Sequence, residues 1–315
     1  MAPCRAMLQR TDTRGTGAAR RAALRCATMS QLPNEAPATA EPVPPPYVPP
    51  PPEGPRKEVV DLGFAAPLRW LVLGWADLWA HKGIAAFYGL SFWGMALILG
   101  GVFYTRPEYV MSIASGCLLV GPFLAMGLYD VSRRRERGLP VSFPDSLMCW
   151  DRHLRSLGLL VLVLIVLELL WGRASLVVFA VFFNTGMPST TGVLQAVFDP
   201  RNWEFVAVYA VVGSVFAAIV YATAVVSIPM ILDRDTDAIS AAITSVQVVA
   251  TNTAVMVFWG LLITGLVGLA LWPWGAGLLL VGPWLGHASW HAYRGSVRWP
   301  DGDLPEPGTP DVAAA

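Results

Sequence analysis

Of the 315 residues, 55% are hydrophobic and only 14% are charged, about half the charged fraction of an ordinary soluble domain. Twenty-two basic and twenty-two acidic side chains cancel to a net charge of zero, which hides their segregation into the tail and short loops; no nucleic-acid partner is expected. The four cysteines (Cys4, Cys26, Cys117 and Cys149) lack paired or metal-type spacing, so neither a disulfide framework nor a metal site is expected, and no cofactor either.

The chain opens with six arginines in residues 1–28 against one acid, Asp12. There is no apolar core of the secretory type, so this stretch reads as a transit peptide or as a start placed ahead of the true one at Met29. From Pro42 to Pro55, nine of fourteen residues are proline, an extended tether because proline has no backbone donor. Residues 1–65 are therefore expected as a disordered N-terminal tail, 66–298 as a membrane domain and 299–315 as a disordered C-terminal tail.

At Pro67 helical spacing begins: Leu68, Leu71, Val72, Trp75, Leu78 and Trp79 predict a short amphipathic helix lying in the membrane interface. Ile84–Phe103 and Tyr109–Tyr129 follow, each long enough to span at about 20 residues. The next connection holds Arg133, Arg134, Arg135, Arg137, Arg152 and Arg155, which places it in the cytoplasm by the positive-inside rule. Within it, Pro144–Asp145 opens a second short helix with Asp145 as the expected N-cap.

Leu157–Phe183 is the third span, apolar except for Glu168 and Arg173. Phe205–Leu232 is the fourth and contains Pro229. A third amphipathic helix follows, N-capped by Asp237 and striped by Ile239, Ala242, Ile243, Val246 and Ala250. Ala254–Trp272 and Gly275–Ala292 complete six spans, in an all-α fold of three helix-hairpin units, each preceded by an interfacial helix. Both termini fall on the cytoplasmic side of a bacterial inner membrane. Gly94, Gly100, Gly101 and Gly127 read as close helix contacts.

Two of the spans share a pattern. Gly116–Leu124 reads GCLLVGPFL and Gly277–Leu285 reads GLLLVGPWL, with an arginine at the same offset in each, Arg133 and Arg294. This is the trace of an internal repeat. Pro122, Pro229 and Pro283 are the expected helix kinks.

Three segments carry a family likeness: Leu68-Arg69-Trp70 with Gly74-Trp75, then Pro229–Asp235 (PMILDRD), and the closing Gly286–Arg294 (GHASWHAYR). Together they resemble the bacterial integral membrane proteins grouped as domain of unknown function 2189. The resemblance implies an inner-membrane, multi-helix protein without an assigned activity. Some members carry a cytochrome oxidase subunit label. A haem-copper oxidase needs several histidines at membrane depth on different helices, and the histidines here (His81, His153, His287 and His291) all lie near helix ends.

Two constellations remain. His287 and His291 share one helical face, continued by Arg294, and this spacing is compatible with haem or a metal as well as with plain hydrogen bonding. Glu168 lies about 17 Å into its span, where a lone charge costs at least ~2.5 kcal/mol, so it is expected to face other helices. Arg173 is expected to snorkel outward instead of pairing with it. No catalytic motif is present, and a non-enzymatic scaffold or accessory subunit, contacting the bilayer and other membrane subunits, is the leading reading. A small-solute or proton-coupled transporter using Glu168 is the alternative. A redox protein using His287 and His291 is a third.

Overall fold

The computed structural model describes residues 57–106, 109–183, 199–272 and 274–300. The arginine-rich opening, the proline run, the Pro107–Glu108 turn, most of the loop after Asn184, and residues 301–315 lie outside these. Leading the described chain is a two-residue strand β1 (Glu58–Val59), followed by α1 (Ala66–Ala80), α2 (Lys82–Thr105), α3 (Val110–Glu136), α4 (Phe143–Met148) and α5 (Leu154–Phe182). After the gap come α6 (Trp203–Ala224), α7 (Ser227–Arg234), α8 (Ala238–Thr251), α9 (Thr253–Leu271), α10 (Leu278–Ser296) and β2 (Val297–Arg298).

Apart from the short β1–β2 pair, the described residues form an all-helical fold. Among the described residues, five segments are long and apolar enough to cross a membrane: Lys82–Thr105, Ser112–Glu136, Phe143–Phe182, Pro200–Arg234 and Thr253–Leu271. The helix expected as a sixth span, α10, is not among them, because its second half carries His287, Ser289, His291, Tyr293 and Arg294. Along the outer faces of the spans the aliphatic side chains stay exposed, as on α5 at Leu159, Leu162, Val166, Leu169 and Leu170. The tightly buried side chains gather elsewhere, at the end where α1, α7, α8 and the polar half of α10 meet: Trp70, Met126, Met230, Ile231, Trp259, Trp290 and Tyr293.

Both longer amphipathic helices divide their faces in the same way. In α1, Trp70, Leu71, Gly74, Asp77 and Leu78 turn inward, while Leu68, Val72, Trp75 and Trp79 stay exposed. In α8 the inward face is the small-residue one (Ala238, Ala241, Thr244, Ser245, Val248), and Ile239, Ile243 and Val246 are left outside. The aliphatic stripe thus faces away from the protein. This is sensible where lipid, and not water, is the alternative solvent.

Local chemistry adjusts several boundaries. Pro229 does not kink a span: the helix breaks at Val225–Val226, and Pro229 sits in the first turn of α7. Proline lacks the N–H that would bond back to residue 225 and crowds that carbonyl, so a new helix start accommodates it better than a helix interior does. All eight residues of α7 are buried. Its chain reverses at Asp235, which takes the left-handed conformation with φ 50°. The N-cap of α4 is Ser142, whose hydroxyl accepts from the Asp145 backbone N–H, so Asp145 lies three residues inside the cap. Asp237 does cap α8, accepting from the Ser240 N–H at 2.9 Å. Pro122 and Pro283 both lie within continuous helices.

The close helix contacts fall at other glycines than those expected, Gly127 excepted. Among the described residues nothing lies within 4 Å of a Cβ built on Gly94, Gly100 or Gly101, whereas a Cβ on Gly74 would come within 2.5 Å of the Ala288 backbone nitrogen. On Gly89 it would meet the Leu279 carbonyl oxygen at 2.2 Å, and on Gly127 the Tyr88 hydroxyl at 1.9 Å. These positions let α1 and α2 lie against α10, and α2 against α3, at near-backbone distance. The repeat pair is unequal in its surroundings: a Cβ on Gly282 would meet Phe92 at 2.8 Å, while one on Gly121 would meet nothing within 4 Å among the described residues.

Both ends of the described stretch contribute to the packed end. β1 pairs antiparallel with β2, Glu58 opposite Arg298 and Val59 opposite Val297. Asn252 clamps the segment that follows, accepting from the Leu62 N–H at 2.7 Å and donating to the Val60 carbonyl at 3.0 Å. Trp299 is buried and donates to the Tyr293 hydroxyl. Lys57–Ala65 and Trp299, assigned to the tails from sequence, are therefore parts of the fold. Backbone groups of the Lys57–Ala65 strap bond to residues far along the chain, at β2, Ser296 and Asn252, and the Trp299 indole bonds to Tyr293; low local hydrophobicity gives no sign of the strap's distant bonds.

Candidate functional site

The chemistry-bearing side chains collect at this same end, in two adjoining networks. The first is centred on Asp77, which the inward face of α1 carries into the protein; its side chain is 5% exposed. Its Oδ2 accepts from the Ser132 hydroxyl of α3 at 2.6 Å and lies 2.8 Å from His291 Nε2 of α10. Its Oδ1 pairs with Arg135. Ser132 Oγ also lies 2.8 Å from His287 Nδ1. Serine has one hydroxyl proton and gives it to the carboxylate, so His287 must donate from Nδ1. Its other nitrogen, Nε2, is buried with no hydrogen-bond partner among the described residues. Burial pushes the Asp77 carboxyl up, but the hydrogen bonds from His291 and Ser132 outweigh it and hold the group below the ordinary aspartate range.

The second network is centred on Asp233 at the C-terminal end of α7, whose side chain is fully buried. It accepts from Arg137, the C-cap of α3, at 2.8 Å and from the Tyr293 hydroxyl of α10 at 2.7 Å, with Arg234 and Arg294 at 3.3 and 3.8 Å. Glu136 of α3 ties in Trp290 and Arg294, at 2.8 and 3.0 Å. Asp130, also fully buried, holds Arg133 and Arg134 of its own helix. Arg133 reaches the Leu232 carbonyl, beside the Asp233 that Arg294 approaches. The two arginines of the sequence repeat thus converge on one turn of α7. Contacts between α3 and α10 advance in the same direction along both helices, from Leu128–Gly286 through Ser132–His287 to Glu136–Trp290, so the two run side by side in the same sense.

His287, His291 and Arg294 are therefore brought together, but each is engaged with its own partner from α1 or α3. Nδ1 of His287 and Nε2 of His291 are hydrogen-bonded within the protein, whereas Nε2 of His287 has no partner among the described residues. Among the described residues no group of three or more His, Cys, Asp or Glu side chains is arranged to hold a metal ion. Glu168 stands apart from this end, half-buried on α5, and accepts from the Ser115 hydroxyl of α3 at 2.7 Å. Arg173 is exposed.

Asp77, Ser132, Asp130, Asp233, Glu136 and Tyr293 escaped sequence reasoning. One signal was there to be read. Asp77 lies three and seven residues from Gly74 and Trp70, on the apolar face of α1, and an acid on a buried face requires partners.

The architecture is that of an integral membrane protein built from several apolar helices, and such a protein sits in the lipid bilayer. Residues 110–233 match the model of the family described as predicted integral membrane protein, domain of unknown function 2189, the family that the three sequence segments resemble. The matched stretch runs from the start of α3 to Asp233 and leaves the closing GHASWHAYR outside it. No curated protein and no solved structure matches the chain.

Proposed function

We propose that the protein is a non-catalytic scaffold or accessory subunit of a bacterial inner membrane, presenting a rigid, charge-fastened platform on the cytoplasmic side. In this reading α10 is a sixth span paired with α9, the three hairpins stand on interfacial helices, and both termini are cytoplasmic. One observation carries it. The acids at the packed end are spent on fastening helices together: Asp77 joins α1, α3 and α10, and Asp233 joins α3, α7 and α10. A carboxylate committed to several buried donors is poorly suited to turnover and well suited to fixing geometry. Reporter fusions at residues 138, 195 and 237 test the orientation, with a cytoplasmic signal expected at 138 and 237 and an external one at 195. Isolation in mild detergent should recover the protein with a stoichiometric membrane partner.

A transporter reading is favoured by the Ser115–Glu168 pair, a titratable group shared by two helices within the apolar region. Flux of protons or small solutes in liposomes separates the two. Flux that Glu168→Gln abolishes, in a protein that remains folded, would replace the scaffold by the transporter.

A further inference from the structure

Beside the Asp233 network is a cavity of about 380 Å³, lined by Val60, Arg234, Arg294, Gly295, Val297, Arg298 and Trp299. Among the described residues, three of the seven that line it are arginines and none is acidic. They arrive from three elements: Arg234 ends α7, Arg294 lies in the last turn of α10, and Arg298 belongs to β2. We propose that this cavity is a binding site for a phosphate group.

Several features support that occupant. The Arg234 side chain is only 1% exposed, and its guanidinium stands 4.5 Å from the centre of the Trp299 ring, which fixes its plane. Arg294 is positioned by Glu136 and Asp233. The wall is thus built before any ligand arrives, and the ordering cost of binding falls mainly on the exposed Arg298. Guanidinium forks match phosphate and carboxylate oxygens alike. A carboxylate offers two oxygens in one plane, whereas donors on Arg294 and Arg298, which come from separate elements and are backed by the buried charge of Arg234, suit a tetrahedral group with three or four. Gly295 lets the Trp70 indole pack closely behind the wall, since a Cβ there would come within 2.7 Å of its Nε1, and Val60 and Val297 of the β1–β2 region close the other part. The strap that sequence placed in the tail is therefore what completes the cavity.

The phosphate can belong to a lipid headgroup or to a free cytoplasmic anion, because the cavity lies at the end that carries the arginine-rich turn. The proposal does not depend on the scaffold reading, since its test measures binding alone. Full-length protein in neutral detergent is titrated with inorganic phosphate by calorimetry. In parallel it is reconstituted in phosphatidylcholine nanodiscs with and without phosphatidic acid, and 31P line broadening of the phosphomonoester is followed. Saturable binding of inorganic phosphate identifies a free anion as sufficient; broadening of phosphatidic acid without it identifies the headgroup. In whichever arm binds, Arg298→Gln should weaken the interaction about tenfold or more, and Arg298→Lys should recover part of it. Arg298 is exposed at a strand end, so these changes leave the fold standing, which a melting curve confirms. Arg69→Gln, an exposed cation on α1, is the control for diffuse attraction. Absence of saturable binding in both arms overturns the proposal, as does an Arg69→Gln loss equal to that of Arg298→Gln.

Discussion

The packed end and the mid-spans of the molecule are held together by different forces. At the packed end, Asp77, Asp130 and Asp233 are buried beside arginines, histidines and hydroxyls, and large side chains such as Trp290, Tyr293 and Trp259 are almost wholly enclosed. Along α5 and α9 the surface is aliphatic and open, with Leu162, Val166, Leu169, Leu261 and Leu269 exposed, and the polar contact between α3 and α5 at this depth is Ser115 with Glu168. In lipid there is no hydrophobic gain in bringing two leucine faces together, so the spans depend on shape and on occasional hydrogen bonds. Helix association is decided where the charges are. The contrast predicts that the molecule is fragile at its packed end and tolerant in its spans.

The largest effect is expected from Asp233→Ala. It removes the shared acceptor of Arg137 and Tyr293 and leaves buried cations without their counter-charge, a loss of about 3–5 kcal/mol. Denaturant unfolding in detergent measures it, and a midpoint equal to that of the parent protein would show that the network does not fasten the helices. Gly74→Val comes next, because its Cβ would press on the Ala288 backbone and push α1 from α10. Overpacking of this kind costs roughly 1–3 kcal/mol, while the same change at Gly94, where a Cβ meets nothing within 4 Å among the described residues, should be nearly neutral. If the two variants melt alike, close packing is not what joins α1 to α10.

Asp77 sharpens the comparison through pH. Its folded-state carboxyl titrates below the unfolded value of ~3.9, so the unfolded chain binds its proton first as the solution is acidified. Its contribution is therefore complete above that value and is lost as pH falls through the lowered folded one. Stability measured from pH 6 downward should decline in this window, and Asp77→Asn should flatten that part of the curve. A decline of the same size in the variant would assign the acid sensitivity to other carboxyls. Smallest is the effect at mid-span. Glu168→Gln should leave stability unchanged, because the amide oxygen still accepts from Ser115, and Glu168→Leu should cost about 1 kcal/mol. A larger penalty there would mean that the spans are cemented by polar contacts after all.

Much of this was legible from the chain, and the reason is the length scale of each signal. Runs of apolar residues announced helices 82–105, 110–136, 154–182 and 253–271 because burial in lipid depends on composition over about 20 residues. Asp237 announced its cap because capping is a contact over three residues. The repeat flagged Arg133 and Arg294, which meet the same turn of α7. Local pattern could not give the break before Pro229, the strap from Lys57 to Ala65, or the partners of His287 and His291. Those depend on groups up to some 240 residues away along the chain, as when Glu58 pairs with Arg298. Sequence alone determined that the chain is a membrane-embedded helical protein, and which of its faces are oily. Only the tertiary structure decided which acids meet which cations, because a buried charge is satisfied by whatever the fold brings beside it, and no spacing within one helix records that partner.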